Sequence, residues 1–255
     1  MRAPDALLRL TEAYLADLVL TPELGSQQES MRYALEGGKR IRGILCLATA
    51  EAAGVEPEAA LPAAAALELV HAFSLVHDDL PALDDDDERR GRPSTHLAYG
   101  EGVALLAGDG LLVEAFRLAL AYPMPGPAQE LAVATLGMIG GQYRDITGDD
   151  ADLLELHRLK TGRLFAASIG LALWVAEVPE AAQAPWRDFG EELGLLFQVV
   201  DDLLDGDGYA TRLGVDGARD LAGEAAGRAR QALAAIEADT SVLSAIVESL
   251  VVRTT

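Results

Sequence analysis

The sequence predicts an all-α fold, a single domain of bundled helices over residues 1–255. Alanine and leucine are abundant and aromatic residues make up 5 % of the chain, which favours helix over strand. Runs of β-branched residues are short, and long apolar stretches alternate with Gly and Pro. At 255 residues the chain can bury a sizeable core, and no low-complexity linker divides it.

The predicted helices follow one another along the chain, bounded mainly by Gly and Pro residues. An amphipathic stretch gives the first helix, and the second and third flank the break at Gly37-Gly38. The fourth ends before Pro81, which lacks a backbone donor and disfavours a helical Leu80. Several later helices have no polar face, as is typical of central helices in a large bundle. The predicted helices cover about residues 5–19, 27–35, 40–53, 58–80, 100–121, 128–146, 151–176, 182–204, 217–236 and 242–252.

The charge and the cysteine content argue against several classes of protein. A formal net charge of −21 disfavours nucleic acid or an anionic membrane surface as a partner. Cys46 is the only cysteine, which rules out an internal disulfide and fits a reducing compartment. The apolar stretches around residues 61–76 and 164–176 are too short, or are interrupted by Glu68 and His71, to span a membrane. We therefore expect a cytoplasmic protein with neither a signal sequence nor a membrane span.

Two clusters of acidic residues follow directly on apolar sequence. Seven of the eleven residues from Asp78 to Glu88 are acidic, and the second cluster is Asp201-Asp202-Leu203-Leu204-Asp205. Carboxylates crowded on a core-facing element cost several kcal/mol per ion unless cations compensate them. Acid runs are more often solvated surface, but two such clusters with few basic neighbours indicate a hard divalent cation such as Mg2+. An EF-hand is excluded, because the sixth position counted from Asp84 is Arg89 rather than Gly.

The two clusters present their carboxylates differently. Asp201 and Asp205 are four residues apart and share one helix face, with Asp202 beside them. Asp78 and Asp84 are six residues apart, and an opening of the helix at the proline between them would bring Asp84 back toward Asp78. Carboxylates at a helix C-terminus face the negative end of its dipole. This site would therefore accept a phosphate only through a metal ion.

Basic residues form two short groups, one after the Gly37-Gly38 break and one after the first acid run. A lone Gly-Gly-Lys-Arg is more often a helix break with solvated charges. Together with two carboxylate clusters it indicates an anion site, because arginine forks and accessible backbone amides both suit diphosphate. The two groups are Lys39, Arg40 and Arg42, and Arg89, Arg90 and Arg92.

Taken together, these residues resemble the trans-isoprenyl diphosphate synthases, the polyprenyl synthetase family, in its bacterial farnesyl or geranylgeranyl diphosphate synthase type. The resemblance extends in family order from about residue 31 to 208. The matching motifs are GGKRxR at Gly37–Arg42, the first aspartate-rich motif from Asp78 through Asp84 to Arg89-Arg90-Gly91, GGQxxD at Gly140–Asp145, KTG at Lys160–Gly162, and the second aspartate-rich motif at Asp201–Asp205.

The resemblance implies an isoprenoid-synthase-type helical bundle around a central active-site cavity that binds two diphosphates. Asp78, Asp84 and Asp201 would ligate three Mg2+ ions with the allylic diphosphate. The remaining implied residues are Asp79, Asp202 and Asp205 in support of the metal ions, Arg89 on the same diphosphate, Lys39, Arg42, His71 and Arg90 on isopentenyl diphosphate, and Lys160, Thr161 and Gln198 beside the allylic cation.

The expected product is farnesyl diphosphate, with geranylgeranyl diphosphate as the alternative. Phe73 lies five residues before Asp78, where an aromatic residue accompanies farnesyl-making bacterial members of the resembling family. An ordinary core position is the more common fate of a Phe in an apolar helix. No general base is required if the diphosphate product takes the final proton, and both His71 and His77 are compatible with simple packing. The family resemblance also favours a homodimer.

The sequence departs from the family after Asp205, where members carry lysines in GK-type elements. Here the segment is short, Val215 occupies the position of one expected lysine, and Arg212 and Arg219 are the candidate substitutes. This departure is the one feature that favours a weakly active regulatory subunit of a prenyl synthase. A class I terpene cyclase is disfavoured by the second aspartate-rich motif and the GGKRxR site. The ordered set of motifs also disfavours an acidic helical protein without catalysis.

Overall fold

A computed structural model describes residues 1–148 and 152–254, and over that part of the chain it confirms the all-α prediction. Twelve α-helices fall within these residues. They are α1 (Pro4–Asp17), α2 (Gln27–Leu35), α3 (Ile41–Ala52), α4 (Leu61–Asp78), α5 (Thr95–Tyr99), α6 (Glu101–Ala119), α7 (Gly126–Thr147), α8 (Leu153–His157), α9 (Arg163–Val175), α10 (Ala184–Asp205), α11 (Gly208–Ala234) and α12 (Ser241–Val251).

Shorter elements connect these helices. One turn of π-helix, Arg158–Gly162, joins α8 to α9. A two-stranded antiparallel hairpin, β1 (Glu88–Arg89) and β2 (Arg92–Pro93), follows the first acid run. Turns of 3-10 helix occur at Pro22–Leu24, Pro57–Ala60, Glu180–Ala182 and Val252–Thr254.

Helix α4 lies at the centre of the bundle, against α3, α6, α7 and α9. Its first half carries the run Ala63–Ala66, which is fully buried and lets neighbouring backbones approach closely. The segment Pro57–Asp78 is apolar and long enough to cross a membrane, yet 67 % of its apolar window is buried inside the protein. Burial on all sides explains why no polar face appears in its sequence.

The predicted helix boundaries need three corrections. Helix α4 ends at Asp78 rather than at Leu80. The helix predicted over residues 151–176 is instead α8, the π-turn and α9, and its predicted start at Ala151 lies outside the described residues. Helix α11 begins at Gly208 rather than at residue 217. The glycines that predicted a loop instead form the start of the helix, at Gly208, and a kink within it, at Gly214.

The sequence analysis missed α5 and the β1–β2 hairpin. The hairpin turns at Arg90 and Gly91, with φ of 58° and 76°, and two consecutive positive φ values are the geometry of a tight two-residue hairpin turn. An arginine at the first of these positions gives no turn signal in the sequence. The hairpin matters because it places Arg89 and Arg90 at the candidate site.

Candidate functional site

The first acid cluster folds back on the end of α4, as the proline between its two parts predicted. The backbone N–H of Asp84 donates to the carbonyl oxygen of Asp78 at 2.9 Å. Burial raises the pKa of the Asp78 carboxyl to about 6; Lys160 opposes the shift, and Asp84 and Asp79 add to it. The ionised form of Asp78 is therefore under-compensated in the folded protein.

The neighbouring carboxylate, Asp79, is neutralised by a specific partner. It is only 2 % exposed, and its Oδ1 accepts a hydrogen bond from Arg89 Nε at 3.0 Å and a second one from Nη2. Arg89 also donates to Asp86 Oδ2 at 2.7 Å. The hairpin thus uses Arg89 to compensate Asp79, and Asp78 is left without an equivalent ion pair among the described residues.

The second acid cluster lies at the C-terminal end of α10. Asp201 and Asp205 are exposed, whereas Asp202 is buried. Although Asp201 is exposed overall, desolvation of its carboxylate at the end of α10 raises its pKa; Asp205 and Asp202 add to the shift, and Arg253 and Lys39 oppose it. Asp201 and Asp205 thus present a second pair of carboxylates on one face of α10, as their four-residue spacing predicted.

These carboxylates fit a hard divalent cation by their chemistry. Oxygen ligands without nitrogen or sulfur partners suit Mg2+, and desolvation together with neighbouring carboxylates raises the pKa of Asp78 and of Asp201, so a bound cation would favour the ionised form of both. Among the described residues, no three His, Cys, Asp or Glu side chains lie close enough to form a complete metal site. Oxygen atoms from a bound anion would therefore have to complete the coordination.

A cationic pocket lies at the start of α3. Arg42 is buried, lies over the Phe165 ring at 4.8 Å, and its Nε is buried without a hydrogen-bond partner. Burial lowers the pKa of Arg42 to about 10. The pKa of His71 is held well below its ordinary value by burial and by nearby arginines, Arg42 first and then Arg90. A desolvated cation with an unused donor, next to a neutral histidine, suits an anionic ligand.

The glycine-rich loop that leads to this pocket is fixed by Arg90. Gly37 and Gly38 have φ of 72° and 96°, and Arg90 Nη1 donates to the carbonyl oxygens of Glu36 and Gly37 at 3.1 Å. A Cβ atom on Gly38 would lie 2.9 Å from Arg90 Cζ. This position therefore requires glycine for both its conformation and the space that the guanidinium occupies.

Arg40, between the two predicted anion-binding residues Lys39 and Arg42, has a structural role. It is 4 % exposed, its Nε donates to Glu12 at 2.6 Å, and its Nη1 lies 3.7 Å from buried Glu68. Lys39 is exposed, and its charge acts on Asp201. The GGKRxR motif thus contains both structural and site-facing cations.

A cavity of about 460 Å³ opens between α4, α6, α7 and the π-turn. Its polar lining includes Arg42, Asp78 and Lys160, and the rest is largely apolar. Phe73 precedes Asp78 by five residues and so lies about 7 Å deeper along the helix axis. The other lining residues are His71, Ser74, Leu75, His77, Leu83, Leu112, Met138, Ile139, Gln142, Tyr143, Ile146 and Thr161.

The π-turn places Lys160 and Thr161 at this cavity. Lys160 Nζ donates to Asp145 Oδ2 at 2.5 Å, which joins the KTG and GGQxxD motifs. A Cβ atom on Gly141 would lie 2.7 Å from the backbone nitrogen of Lys160. Helix α7 therefore needs glycine where the π-turn packs against it. π-turns inside α-helices are frequent at functional sites.

Gln198 lies apart from Lys160 and Thr161, the two residues with which it was predicted to surround the allylic cation. Gln198 lines a smaller cavity of about 160 Å³ together with His157 and Gly162, and its Nε2 donates to Asp202 Oδ1 at 2.7 Å. It is not among the residues that line the 460 Å³ cavity. Its predicted place beside the reacting centre stays a prediction.

The sequence analysis gave no role to several residues at the site. On α7, the side chains of Met138, Gln142 and Ile146 line the cavity at four-residue spacing, a helical periodicity that could have identified this wall. Gln142 Oε1 is buried without a partner. The positive charge of Arg253 opposes the rise in the pKa of Asp201. By contrast, Arg219, a candidate substitute for the missing lysine near Val215, pairs with Asp216 at 3.6 Å.

Comparisons with known proteins agree with this geometry. The family described as polyprenyl synthetase matches residues 26–249. The chain is 41 % identical over 209 residues to a geranylgeranyl diphosphate synthase of Cyanophora paradoxa, which covers 76 % of this chain and 70 % of that protein. It is 37 % identical over 205 residues to a farnesyl diphosphate synthase of Bacillus subtilis (strain 168), covering 74 % of this chain and 69 % of the relative.

Solved structures show the same likeness over nearly the whole chain. A farnesyl and geranylfarnesyl diphosphate synthase (FPP/GFPP synthase) from Zymomonas mobilis, solved without ligand, superposes with a TM-score of 0.86 at 30 % identity. The superposition covers 97 % of this chain and 96 % of that one. A geranyltransferase from Legionella pneumophila superposes with a TM-score of 0.84 at 32 % identity, over 98 % of this chain and 96 % of that one.

Proposed function

The chain belongs to the polyprenyl synthetase family and is a short-chain prenyltransferase, and we propose that its product is farnesyl diphosphate. In this reaction isopentenyl diphosphate adds to the allylic end of dimethylallyl and then of geranyl diphosphate. The observation that carries the product assignment is Phe73, a bulky side chain in the wall of the cavity, about one and a half helical turns below Asp78. A growing chain whose diphosphate is held near Asp78 would meet this ring.

The carboxylates would hold the metal ions on which the chemistry depends. We assign Asp78, Asp84 and Asp201 as ligands of three Mg2+ ions, with Asp205 in support. When bound, these ions supply positive charge that stabilises the diphosphate as it leaves the allylic carbon. The raised pKa of Asp78 and of Asp201 supports the assignment, because desolvation disfavours each ionised carboxylate and a bound cation would offset that penalty.

The cationic pocket at the start of α3 would bind isopentenyl diphosphate. Arg42 has an unused buried donor, the lowered pKa of His71 favours its neutral form, and Lys39 is exposed. Arg90 fixes the glycine loop that leads to α3. The site therefore distinguishes its two substrates by chemistry, since one diphosphate meets cations directly and the other meets carboxylates through metal ions.

The apolar part of the cavity would protect the allylic cation from water. Thr161 and Lys160 line the same cavity as Asp78. The Lys160 ammonium can stabilise the departing diphosphate by its charge, and the Thr161 hydroxyl can stabilise the cation by its dipole. The diphosphate itself can accept the proton released on forming the new double bond. No side-chain base is needed for that step.

A second candidate product is geranylgeranyl diphosphate, because relatives with that name are as similar to this chain as the farnesyl diphosphate synthases. The two products are distinguished by incubating the purified protein with Mg2+, isopentenyl diphosphate and dimethylallyl, geranyl or farnesyl diphosphate. A C15 product from the first two substrates, with farnesyl diphosphate unused, supports the proposal. Efficient extension of farnesyl diphosphate to C20 contradicts the chain-length assignment.

The same assay tests the rival functions. Cyclic hydrocarbon formed without isopentenyl diphosphate would indicate a terpene cyclase. Absence of any product from the protein alone, with activity restored by a catalytic synthase partner, would indicate a regulatory subunit. Full activity in excess chelator would contradict the metal assignment.

We also propose that the protein is a cytoplasmic homodimer. An apolar face of α6 and α7 supports the dimer: Val113, Val133, Leu136 and Tyr143 are between 62 % and 69 % exposed. Exposed apolar residues that recur along two neighbouring helices are typical of a protein–protein interface. The lone buried Cys46 fits a reducing compartment.

A further inference from the structure

The middle carboxylate of the second acid cluster, Asp202, differs from its neighbours in burial. It is 4 % exposed, whereas Asp201 and Asp205 are exposed. Both of its oxygen atoms already accept hydrogen bonds within the protein. Oδ1 accepts from Gln198 Nε2 at 2.7 Å, and Oδ2 accepts from the backbone N–H of Tyr209 at 2.8 Å.

These bonds hold the α10–α11 junction, residues 205–209. The carbonyl oxygen of Asp202 also accepts from the backbone N–H groups of Gly206 and Asp207, at 2.9 and 3.2 Å. A Cβ atom on Gly208 would lie 2.1 Å from Asp202 Oδ2, so the junction packs directly on the carboxylate. An ionised side chain that accepts a free N–H in the first turn of a helix stabilises that end of the helix.

Two aromatic rings close the other side of Asp202. The rings of His157 and Tyr209 meet edge to face at 4.9 Å, and Tyr209 is 4 % exposed. His157 Nδ1 lies 3.6 Å from Asp202 Oδ2, too far for a hydrogen bond. Each carboxylate oxygen of Asp202 is thus held by one hydrogen bond in a site that is only 4 % exposed, so a metal ion could reach it only if this packing opened.

We propose that Asp202 is a positioning residue rather than a metal ligand. It fixes the start of α11 against the end of α10, and thereby orients Asp201 and Asp205 on the face that carries the diphosphate chemistry. In this chain the two helices are separated by only Gly206 and Asp207, so this one carboxylate organises the short junction. The inference rests on the proposed function only for the roles of Asp201 and Asp205.

The first test compares the thermal stability of the metal-free protein with that of two variants. Asp202→Asn replaces an acceptor of two hydrogen bonds by an amide that can accept only one of them, so we expect Tm to fall by roughly 4–8 °C. Asp201→Asn relieves crowding with Asp205 and should leave Tm unchanged or raise it. A fall in Asp201→Asn equal to that in Asp202→Asn would contradict the distinction.

Gly208→Ala keeps every carboxylate and tests the junction even if Asp202→Asn does not fold. Its matched control is Gly206→Ala, which also has a positive φ (76°, against 43° at Gly208) but no atom within 4 Å of the added Cβ. We expect a larger fall in Tm for Gly208→Ala, with faster hydrogen exchange at the Tyr209 amide. Equal effects of the two substitutions would mean that the contact with Asp202 does not hold the junction.

The second test adds Mg2+ with inorganic pyrophosphate, which mimics the diphosphate without reacting. The rise in Tm should persist in Asp202→Asn and be lost in Asp201→Asn; the reverse pattern would make Asp202 the ligand. At a temperature where the variant is folded, Asp202→Asn should lower kcat at least tenfold while the Mg2+ concentration for half-maximal activity changes less than twofold. An unchanged kcat would reduce Asp202 to a purely structural role.

If wild-type protein shows no rise in Tm with Mg2+ and pyrophosphate, the metal assignment in the proposed function fails. The metal-free comparison still decides whether Asp202 holds the junction, because none of its readouts requires metal or turnover. The two failures are therefore distinguishable.

Discussion

At the residue scale, neighbouring side chains of one type have different tasks because their environments differ. Arg40 is paired with Glu12 and lies near Glu68, while Arg42, two residues on, keeps a buried donor unused. Asp79 is paired with Arg89, while Asp78 is not. In the sequence, Arg40 and Arg42 look alike, and so do Asp78 and Asp79. Only the charges around each side chain in the folded protein distinguish their roles.

The first prediction contrasts the two arginines. Arg42→Ala should remove about 1.5–3 kcal/mol of binding free energy for isopentenyl diphosphate and so raise KM for that substrate. KM for the allylic substrate should change little. Arg40→Ala should instead destabilise the protein by about 3–5 kcal/mol, because it leaves Glu68 buried without its cation. Steady-state kinetics and urea denaturation of both variants check this. An equal rise in KM for both substrates in Arg42→Ala would show that Arg42 supports the fold instead.

The second prediction concerns pH. The pKa of His71 is lowered in the folded protein, so below about pH 6.5 the unfolded chain binds a proton that the folded protein does not, and stability falls. From pH 6.5 to 5.5 this costs about 1 kcal/mol. His71→Asn removes this component, so the free energy of unfolding should depend less steeply on pH in that interval.

Denaturation of both proteins at several pH values measures the difference. The raised pKa of Asp78 acts in the opposite direction, since its penalty is present above pH 6 and disappears as the carboxyl protonates. That contribution is common to wild type and variant and cancels in the comparison. Parallel pH profiles for the two proteins would contradict the assignment of a neutral His71.

At the scale of elements, the contact between α7 and the π-turn positions the KTG motif. Gly141→Ala puts a methyl group 2.7 Å from the Lys160 nitrogen, so the π-turn must move, and we expect kcat to fall at least tenfold. Gly140→Ala is the matched control, because its Cβ meets nothing within 4 Å. The control should keep its activity and gain up to about 1 kcal/mol of stability from helix propensity. Similar kcat values for the two variants would contradict the positioning role of the contact.

Helix α4 carries the prediction on product length. Phe73→Ala should remove the ring that stops elongation and shift the product from C15 toward C20 or longer. The matched control is Phe116→Ala on α6, which removes a partly buried ring that does not line the cavity. Chromatography of the products decides. If the Phe73 variant makes nothing longer than wild type does, the ring is an ordinary core residue.

At the scale of the whole molecule, the bundle leaves an apolar face of α6 and α7 exposed. Leu136→Glu places a charge at its most exposed position, 69 % exposed, and should dissociate the proposed dimer. Leu213→Glu on α11, 50 % exposed, is the control and should leave the mass unchanged. Light scattering should give twice the protomer's 26.9 kDa for wild type and control. A monomeric wild type would contradict the dimer.

The sequence by itself determined the fold class, most helices and the two clusters of carboxylates. Composition and apolar periodicity act locally, and the boundaries of α2 were predicted at both ends. The return of Asp84 toward Asp78 also followed from local chemistry, because a proline in the interior of a helix kinks or breaks it. The order of the motifs was enough to indicate the family.

Only the tertiary structure decided which members of each cluster are free to act. Asp79 is compensated by an arginine on the hairpin, and Asp202 is held by Gln198 and by the start of α11. Position 141 must be glycine because the π-turn packs directly on its backbone and leaves no room for a side chain. Such facts depend on contacts between residues distant in sequence or on turns formed by positive-φ residues, neither of which has a periodic signal in the sequence. The balance of charge and hydrogen bonds at a buried group is a property of its whole surroundings, so it is settled when the helices pack.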